Sequence, residues 1–320
     1  MRIGYTLMGE QRSPRQLVDD AVLAEQSGFA FLVASDHFSP WLEVQGHSPY
    51  TWSVLGAVAQ ATTSIPFMTF VTCPILRYHP AVVAQKAATV QLLSDGRFSL
   101  GLGAGENLNE HVVGKGWPPV DVRHEMLAEA VEIIRALWGG DFVNHRGRHF
   151  QVESAKLYDV PDALPPLGIA ASGSQSTALA AGHGDYLIAT EPKREIVESY
   201  RSAGGTGDVV GQLPVCYGER DKALQVLHEQ FRWSGLGWKV NSELPGTAAF
   251  DSASAHVRPE DLSEVAAWGS DPQPYAEKLQ AFAEAGFDAV ALVQVGPEQA
   301  PFCAWYAEHL RPALQPEGRP

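Results

Sequence analysis

Two periods of apolar recurrence run along this chain and replace one another repeatedly. RIGYTL (2–7) reads as a strand, PRQLVDDAVLAEQSG (14–28) as an amphipathic helix ending at Gly28, and FAFLVAS (29–35) as a second strand. Together they make a βαβ unit. The alternation continues with FMTFVTC (67–73), a helix from Pro80 to Leu93, RFSLGLG (97–103), and a helix over 123–138 that ends at Gly139-Gly140. A polar, hairpin-like segment, NHRGRHFQVESAKLYDVP, comes next. LGIAAS (167–172), DYLIAT (185–190), DVVGQLPVCYG (208–218) and AVALVQV (289–295) bring the strands to eight.

Runs such as FAFLVA and AVALVQV are apolar at nearly every position, as strands buried on both faces are, so parallel pairing is expected. Eight repeats with no Pro/Gly/Ser linker between halves favour closure into a (β/α)8 TIM barrel over an open doubly wound sheet. A single domain over 1–320 is expected. Excursions at 38–50, 141–162 and 234–268 are each polar and too short for a core of their own, which makes them loop insertions of the kind that shape substrate pockets.

Composition narrows the partners. The 320 residues carry a formal charge of -14 and no Lys/Arg-rich stripe, which argues against nucleic acid and anionic membranes. Cys73, Cys216 and Cys303 are odd in number and lack any C-x-x-C pairing, so reduced thiols are expected, with neither a disulfide framework nor a cysteine metal site. With no apolar signal segment and no span of about 18 uncharged apolar residues, a cytoplasmic protein is expected.

In a barrel of this type the reactive groups lie at the carboxyl ends of the strands. Asp36 and His37 directly follow FAFLVAS, with Trp41 four residues beyond His37. A histidine there can move a proton near neutral pH, whereas the bland alternative makes Asp36 a turn cap and His37 structural. LGLGAGENLNE supplies Gly101, Gly103 and Gly105 for a tight strand end and then Glu106, Asn109 and Glu110. It is not a G-x-G-x-x-G fingerprint, because Glu occupies position 106. Glu106, in a partly dry barrel mouth, suits proton transfer. Cys73 ends the third strand and reads as a packing residue. IAASGSQST turns through Ser172-Gly173 into a helix that starts near Ser174, and the free N–H groups of such a terminus suit an anion, although a plain cap looks the same.

VASDHFSPW (33–41), VTCPILRYHPAVVAQ (71–85), FSLGLGAGENLNE (98–110), LYDVP (157–161) and IAASG (169–173) together resemble the luciferase-like monooxygenase superfamily. Within it they are similar to the deazaflavin branch that contains the coenzyme F420-dependent glucose-6-phosphate dehydrogenases. The resemblance implies an F420-dependent oxidoreductase acting as a homodimer. It implies that Asp36 holds the deazaflavin, that Phe70 and Val71 form a bulge behind the ring through a cis peptide, and that Cys73, Ala104, Gly105 and Asn109 line it. Family members usually have a small residue where Phe70 stands. Ser172, Gly173, Gln175 and Ser176 would surround the phosphate-bearing tail, and His37 and Glu106 would form the proton-transfer pair with Trp41 beside the reacting carbon.

For the substrate, Thr190 and Lys193 match the first part of the family's sugar-phosphate arrangement, and Lys239 is a looser match. The segment expected to supply an Arg reads SEVAAWGSDP, with Val265 near that position and no base within it. A dianionic phosphate is held best by a bidentate Arg. The small-molecule substrate is therefore expected to be another alcohol, aldehyde or ketone rather than glucose 6-phosphate. An FMN-dependent monooxygenase on the same barrel is the alternative enzyme, and a flavin-binding relative without turnover the non-catalytic one.

Overall fold

The computed structural model describes residues 1–314. Eight parallel strands form the barrel: β1 (Arg2–Leu7), β2 (Leu32–Ala34), β3 (Phe67–Thr69), β4 (Phe98–Leu102), β5 (Leu167–Ala170), β6 (Tyr186–Ile188), β7 (Val209–Tyr217) and β8 (Ala289–Gln294). Each pairs with its neighbour in sequence, β8 returns to β1, and β6 meets β7 through Leu187–Val209 and Ile188–Val210, so the sheet closes. The (β/α)8 barrel is the architecture that the alternating periods predict.

Alternate residues of each strand face opposite sides of a sheet, and the packing obeys that rule. Val33, Ile188, Val210, Ala289 and Ala291 fill the barrel interior together with Phe31, Phe70 and Tyr186. Leu32, Ala34, Leu187, Val209, Val290 and Leu292 face outward into the larger core beneath the helices. The helix over Pro14–Gln26 shows how the shell is built: the Ser13 N–H donates to Gln16 Oε1 at 3.0 Å, Pro14 presets the first turn, and Gly28 (φ +81°) ends it.

Three differences from the sequence expectation have physical causes. The central strands are shorter at their carboxyl ends than their apolar runs, because residues 35–38, 70–73 and 103–106, apart from one bridge between Thr72 and Leu102, leave the ladder and become the rim of the barrel mouth. A helix over Thr51–Ala61 lies between β2 and β3. Its sequence, TWSVLGAVAQA, is nearly all apolar and so carries little helical period. The excursion at 234–268 is not irregular loop. It holds short helices over Trp238–Asn241 and Gly246–Ala253, flanked by 3-10 turns, and a further strand, Ala267–Gly269, that lies parallel to the carboxyl half of β7. The segment at 141–162 does contain the expected hairpin, Val143–Arg146 against Gln151–Ala155.

Glycines let the end of β4 press against the bulge after β3. A methyl on Gly101 would collide with the Thr69 carbonyl oxygen, and one on Gly103 would come within 2.6 Å of Val71. Gly56, in the helix over Thr51–Ala61, has open space around it instead. Gly101→Ala is therefore expected to cost about 1–3 kcal/mol through overpacking, while Gly56→Ala adds about 0.5–1 kcal/mol by restricting the unfolded chain. Urea unfolding of the two variants checks this, and the same sign for both would contradict the packing described.

Candidate active site

Asp36 stands at the end of β2 and is fully engaged by the protein. Its Oδ2 accepts from Trp52 Nε1 at 2.9 Å and Thr72 Oγ1 at 2.7 Å, and its Oδ1 from Tyr78 OH and Arg77 Nη2, both at 3.2 Å. Arg77 also donates to the Asp36 carbonyl. Four donors match the roughly four lone-pair positions of a carboxylate. The other side of Arg77 faces Glu110, whose Oε1 lies 3.5 Å from Nε and whose Oε2 accepts the backbone N–H groups of Leu76 (3.2 Å) and Arg77 (2.8 Å). Burial raises the Glu110 carboxyl to about 7, against the lowering effect of those N–H groups and the Arg77 charge. No sequence pattern assigns a role to Arg77 or Glu110.

His37, next to this knot, sits between two carboxylates. Nδ1 is 2.6 Å from Glu10 Oε1, and Nε2 is 3.2 Å from Glu106 Oε1. Nδ1 has no aligned hydrogen bond, so its contact with Glu10 is an ion pair bent off the N–H axis. Burial alone would lower the histidine, but Glu10 first and Glu106 second outweigh it and push it up to about 10. The imidazolium in turn holds both carboxyls below the ordinary range although burial works the other way. The resting state at neutral pH is thus a charged imidazolium between two carboxylates. Ser35 Oγ fixes Glu10 at 2.9 Å, and Asn109 Nδ2 fixes Glu106 at 2.6 Å while Asn109 Oδ1 accepts from the Phe38 and Ser39 N–H groups. Glu10 lies three residues past β1, a strand-end position like those of Asp36 and Glu106, so the strand-end rule could have found it.

The apolar side of this centre is aromatic. Trp41 meets the His37 ring edge-on at 5.1 Å and stacks on Trp233 at 4.0 Å, with Phe250 set against it at 5.0 Å. Trp233 comes from the 3-10 turn Arg232–Leu236 that leads into the excursion at 234–268 and Phe250 from the excursion itself, and no sequence pattern marks either.

The remaining predicted residues occupy three places. Val71, Ala104 and Gly105 are half-buried on the rim next to the buried Cys73. The Phe70–Val71 peptide is cis, and Phe70 points into the barrel interior with Phe31 and Val33. Burial and the charges of Glu110 and Glu106 keep Cys73 a thiol well above its usual titration range. Ser172 and Gly173 are exposed at the start of the helix over Ser174–His183, and Ser176 Oγ accepts both of their N–H groups at 3.2 Å. Thr190 and Lys193 are exposed past β6, where Lys193 pairs with Glu191, away from the His37 contacts.

A parallel barrel with a charged acid–base cluster at its strand ends and an aromatic wall beside it defines a class of enzyme scaffold whose reactive chemistry sits on the loops. Family comparison makes this definite: residues 1–289 match the luciferase-like monooxygenase model, and the chain belongs to that family. It is 35% identical, over 98% of its length and 88% of the relative's, to the F420-dependent hydroxymycolic acid dehydrogenase of Mycobacterium tuberculosis. It is also 35% identical to the F420-dependent glucose-6-phosphate dehydrogenase of Beutenbergia cavernae, over 100% of this chain and 99% of the relative. Among solved structures, an F420-dependent secondary alcohol dehydrogenase in complex with an F420-acetone adduct superposes with a TM-score of 0.90 at 30% identity, covering 98% of this chain and 99% of that one.

Arg77 generates a test of the knot. Removing one partner of a buried ion cluster costs about 3–5 kcal/mol, the loss expected for Arg77→Met at pH 7. Glu110 is raised in the folded state, so its contribution is present below its ordinary 4.5 and is lost as pH rises through about 7. Without Arg77 that rise is larger, so the penalty should deepen from pH 6 to pH 8. Denaturation midpoints at the two pH values check it, and a pH-independent penalty would contradict the assignment.

Proposed function

We propose that this protein is an F420-dependent oxidoreductase that interconverts a small alcohol and its carbonyl product. The observation that carries the reading is His37, held charged between Glu10 and Glu106 beside Trp41 at the mouth of the barrel. The deazaflavin of F420, when bound, supplies a ring carbon that takes or gives a hydride, which leaves the protein one proton to manage. The fit rests on the small half-buried edge made by Val71, Ala104 and Gly105 and on the exposed helix terminus at Ser172–Gly173. Those residues, with Cys73, Asn109, Gln175 and Ser176, would hold the ring and tail. Asp36 would act through its grip on Arg77 and Thr72, since its own oxygens are committed.

The resting charges support one proton path. In oxidation, the Glu106 carboxylate accepts the proton of the substrate hydroxyl while the Nε2–H group of His37 holds the substrate oxygen. In reduction the same steps run backward, with Glu106 returning the proton. Glu10 keeps the ring charged and oriented, and Trp41 with Trp233 excludes water from the reacting carbon.

The aromatic wall favours an apolar substrate. A sugar phosphate would need a cationic cluster, and of the matching positions Thr190 is neutral, Lys193 is paired with Glu191, and Val265 stands exposed where an Arg is expected. We read the chain as one barrel domain working in the cytoplasm as a homodimer. Val82, Leu92 and Leu93, exposed on the helix over Pro80–Leu93, offer such pairing an apolar surface.

Anaerobic mixing of protein, oxidised F420 and secondary alcohols, with loss of the deazaflavin absorbance as the readout, tests the reading. The wild type should reduce F420 with an alcohol and leave glucose 6-phosphate essentially untouched. His37→Gln and Glu106→Gln should each slow turnover by about 10²–10⁴-fold while keeping F420 affinity. Preferential FMN binding with oxygen consumption would overturn it, and robust glucose 6-phosphate turnover would overturn the substrate assignment.

A further inference from the structure

The helices over Thr51–Ala61 and Pro80–Leu93 carry one charged residue between them, Lys86, and its Nζ is buried with no hydrogen-bond partner. Aromatic rings stand where acceptors are expected. Nζ lies 3.3 Å from the centre of the Tyr78 ring, 5.0 Å from that of Tyr50 and 5.5 Å from that of Trp52. Ring faces attract a cation, yet the three N–H groups of this ammonium stay idle. A methionine would fill the same space with no idle donor, so the charge costs stability where it stands. Burial accordingly lowers the ammonium to about 8, with the Asp36 charge opposing the shift and the Arg77 charge adding to it.

Two of the three rings lead into the active site. Trp52 Nε1 donates to Asp36 Oδ2 at 2.9 Å and Tyr78 OH to Oδ1 at 3.2 Å, so residues that cage Lys86 supply two of the four side-chain donors on that carboxylate. Tyr78 also accepts from Arg77 Nη1 at 3.2 Å. A cation over a phenol face draws on the ring and strengthens the O–H as a donor. Beside the cage lies a cavity of about 250 Å³, lined in part by Trp52, Gly56, Lys86 and Leu93, which leaves room for a larger cation.

We infer that Lys86 is a positioning residue of the active site. Its charge gathers the Tyr78 and Trp52 rings and keeps their O–H and N–H groups on Asp36, and Asp36 fixes the backbone that carries His37. The effect on turnover rests on the oxidoreductase reading, whereas the grip on Asp36 does not.

Wild type, Lys86→Met and Lys86→Arg are compared by three readouts. The first is the urea midpoint at pH 7. The folded lysine titrates below its ordinary 10.5, so its charge costs stability below about 8, and the cost fades as pH rises from there to 10.5. Lys86→Met should therefore be at least as stable as wild type. The second needs no cofactor: solvent exchange of the Trp52 indole N–H, assigned by comparison with Trp52→Phe, reports its hydrogen bond to Asp36. It should quicken about tenfold in Lys86→Met while global stability does not fall. In the third, F420 reduction by a secondary alcohol, Lys86→Met should lower kcat about tenfold and leave KM and F420 affinity within about twofold. Lys86→Arg keeps the charge and should restore most of the indole protection and most of kcat. Unchanged exchange and turnover in Lys86→Met overturn the positioning role, as does a loss that tracks global stability or one that Lys86→Arg does not restore. A wild type that reduces no F420 overturns the functional reading instead, and indole exchange still decides Lys86.

Discussion

The mouth of this barrel is organised around one buried guanidinium. Arg77 reaches from the loop after β3 to the Asp36 carbonyl and carboxylate at the end of β2 and to Glu110 beyond β4. Three neighbouring strand ends thus share one cation. A buried charge is tolerated best when its partners are close and their remaining lone pairs are filled, and here Trp52, Thr72, Tyr78 and two backbone N–H groups fill those of Asp36 and of Glu110 Oε2, while Glu110 Oε1 has only its 3.5 Å ion contact with Arg77 Nε. The backbone at Asp36 is fixed by this network, and His37 is the next residue.

That histidine has an electrostatic setting which a solvated one lacks. Glu10 and Glu106 approach the ring from its two nitrogens, so its charged form survives burial. Because the folded histidine titrates near 10 rather than at its ordinary 6.5, its stabilising contribution is complete below about 6.5 and is lost as pH rises through about 10. The carboxylates contribute in the opposite sense, and their share is lost as pH falls through their depressed values. A centre of this kind is stable across the neutral range while keeping a proton donor and a proton acceptor 3.2 Å apart.

Much of this architecture is legible in the chain because closed parallel sheets write a strong signal. Doubly buried strands such as AVALVQV are apolar throughout, and the strand-end rule leads directly from FAFLVAS to Asp36 and His37 and from FSLGL to Glu106 and Asn109. Three-dimensional neighbours distant in sequence are not legible. Glu10 sits 27 residues before the histidine it touches, and Trp233 joins Trp41 from a 3-10 turn, Arg232–Leu236, with no period of its own. Nor does any sequence pattern reveal that Asp36 has both carboxylate oxygens engaged by protein donors, or that Glu110 faces Arg77. Those facts depend on which side chains face one another after the barrel closes.

The charge state of His37 is the claim on which the proposed chemistry turns. Nitrogen NMR of the uniformly labelled protein, with His37 assigned by comparison with His37→Gln among the 11 histidines, reads it directly. Both ring nitrogens should remain protonated at pH 8, with the titration completed only near 10. A ring that is neutral at pH 8 and titrates near its ordinary value would mean that Glu10 and Glu106 do not hold the charge, and the proton path drawn from it would fail.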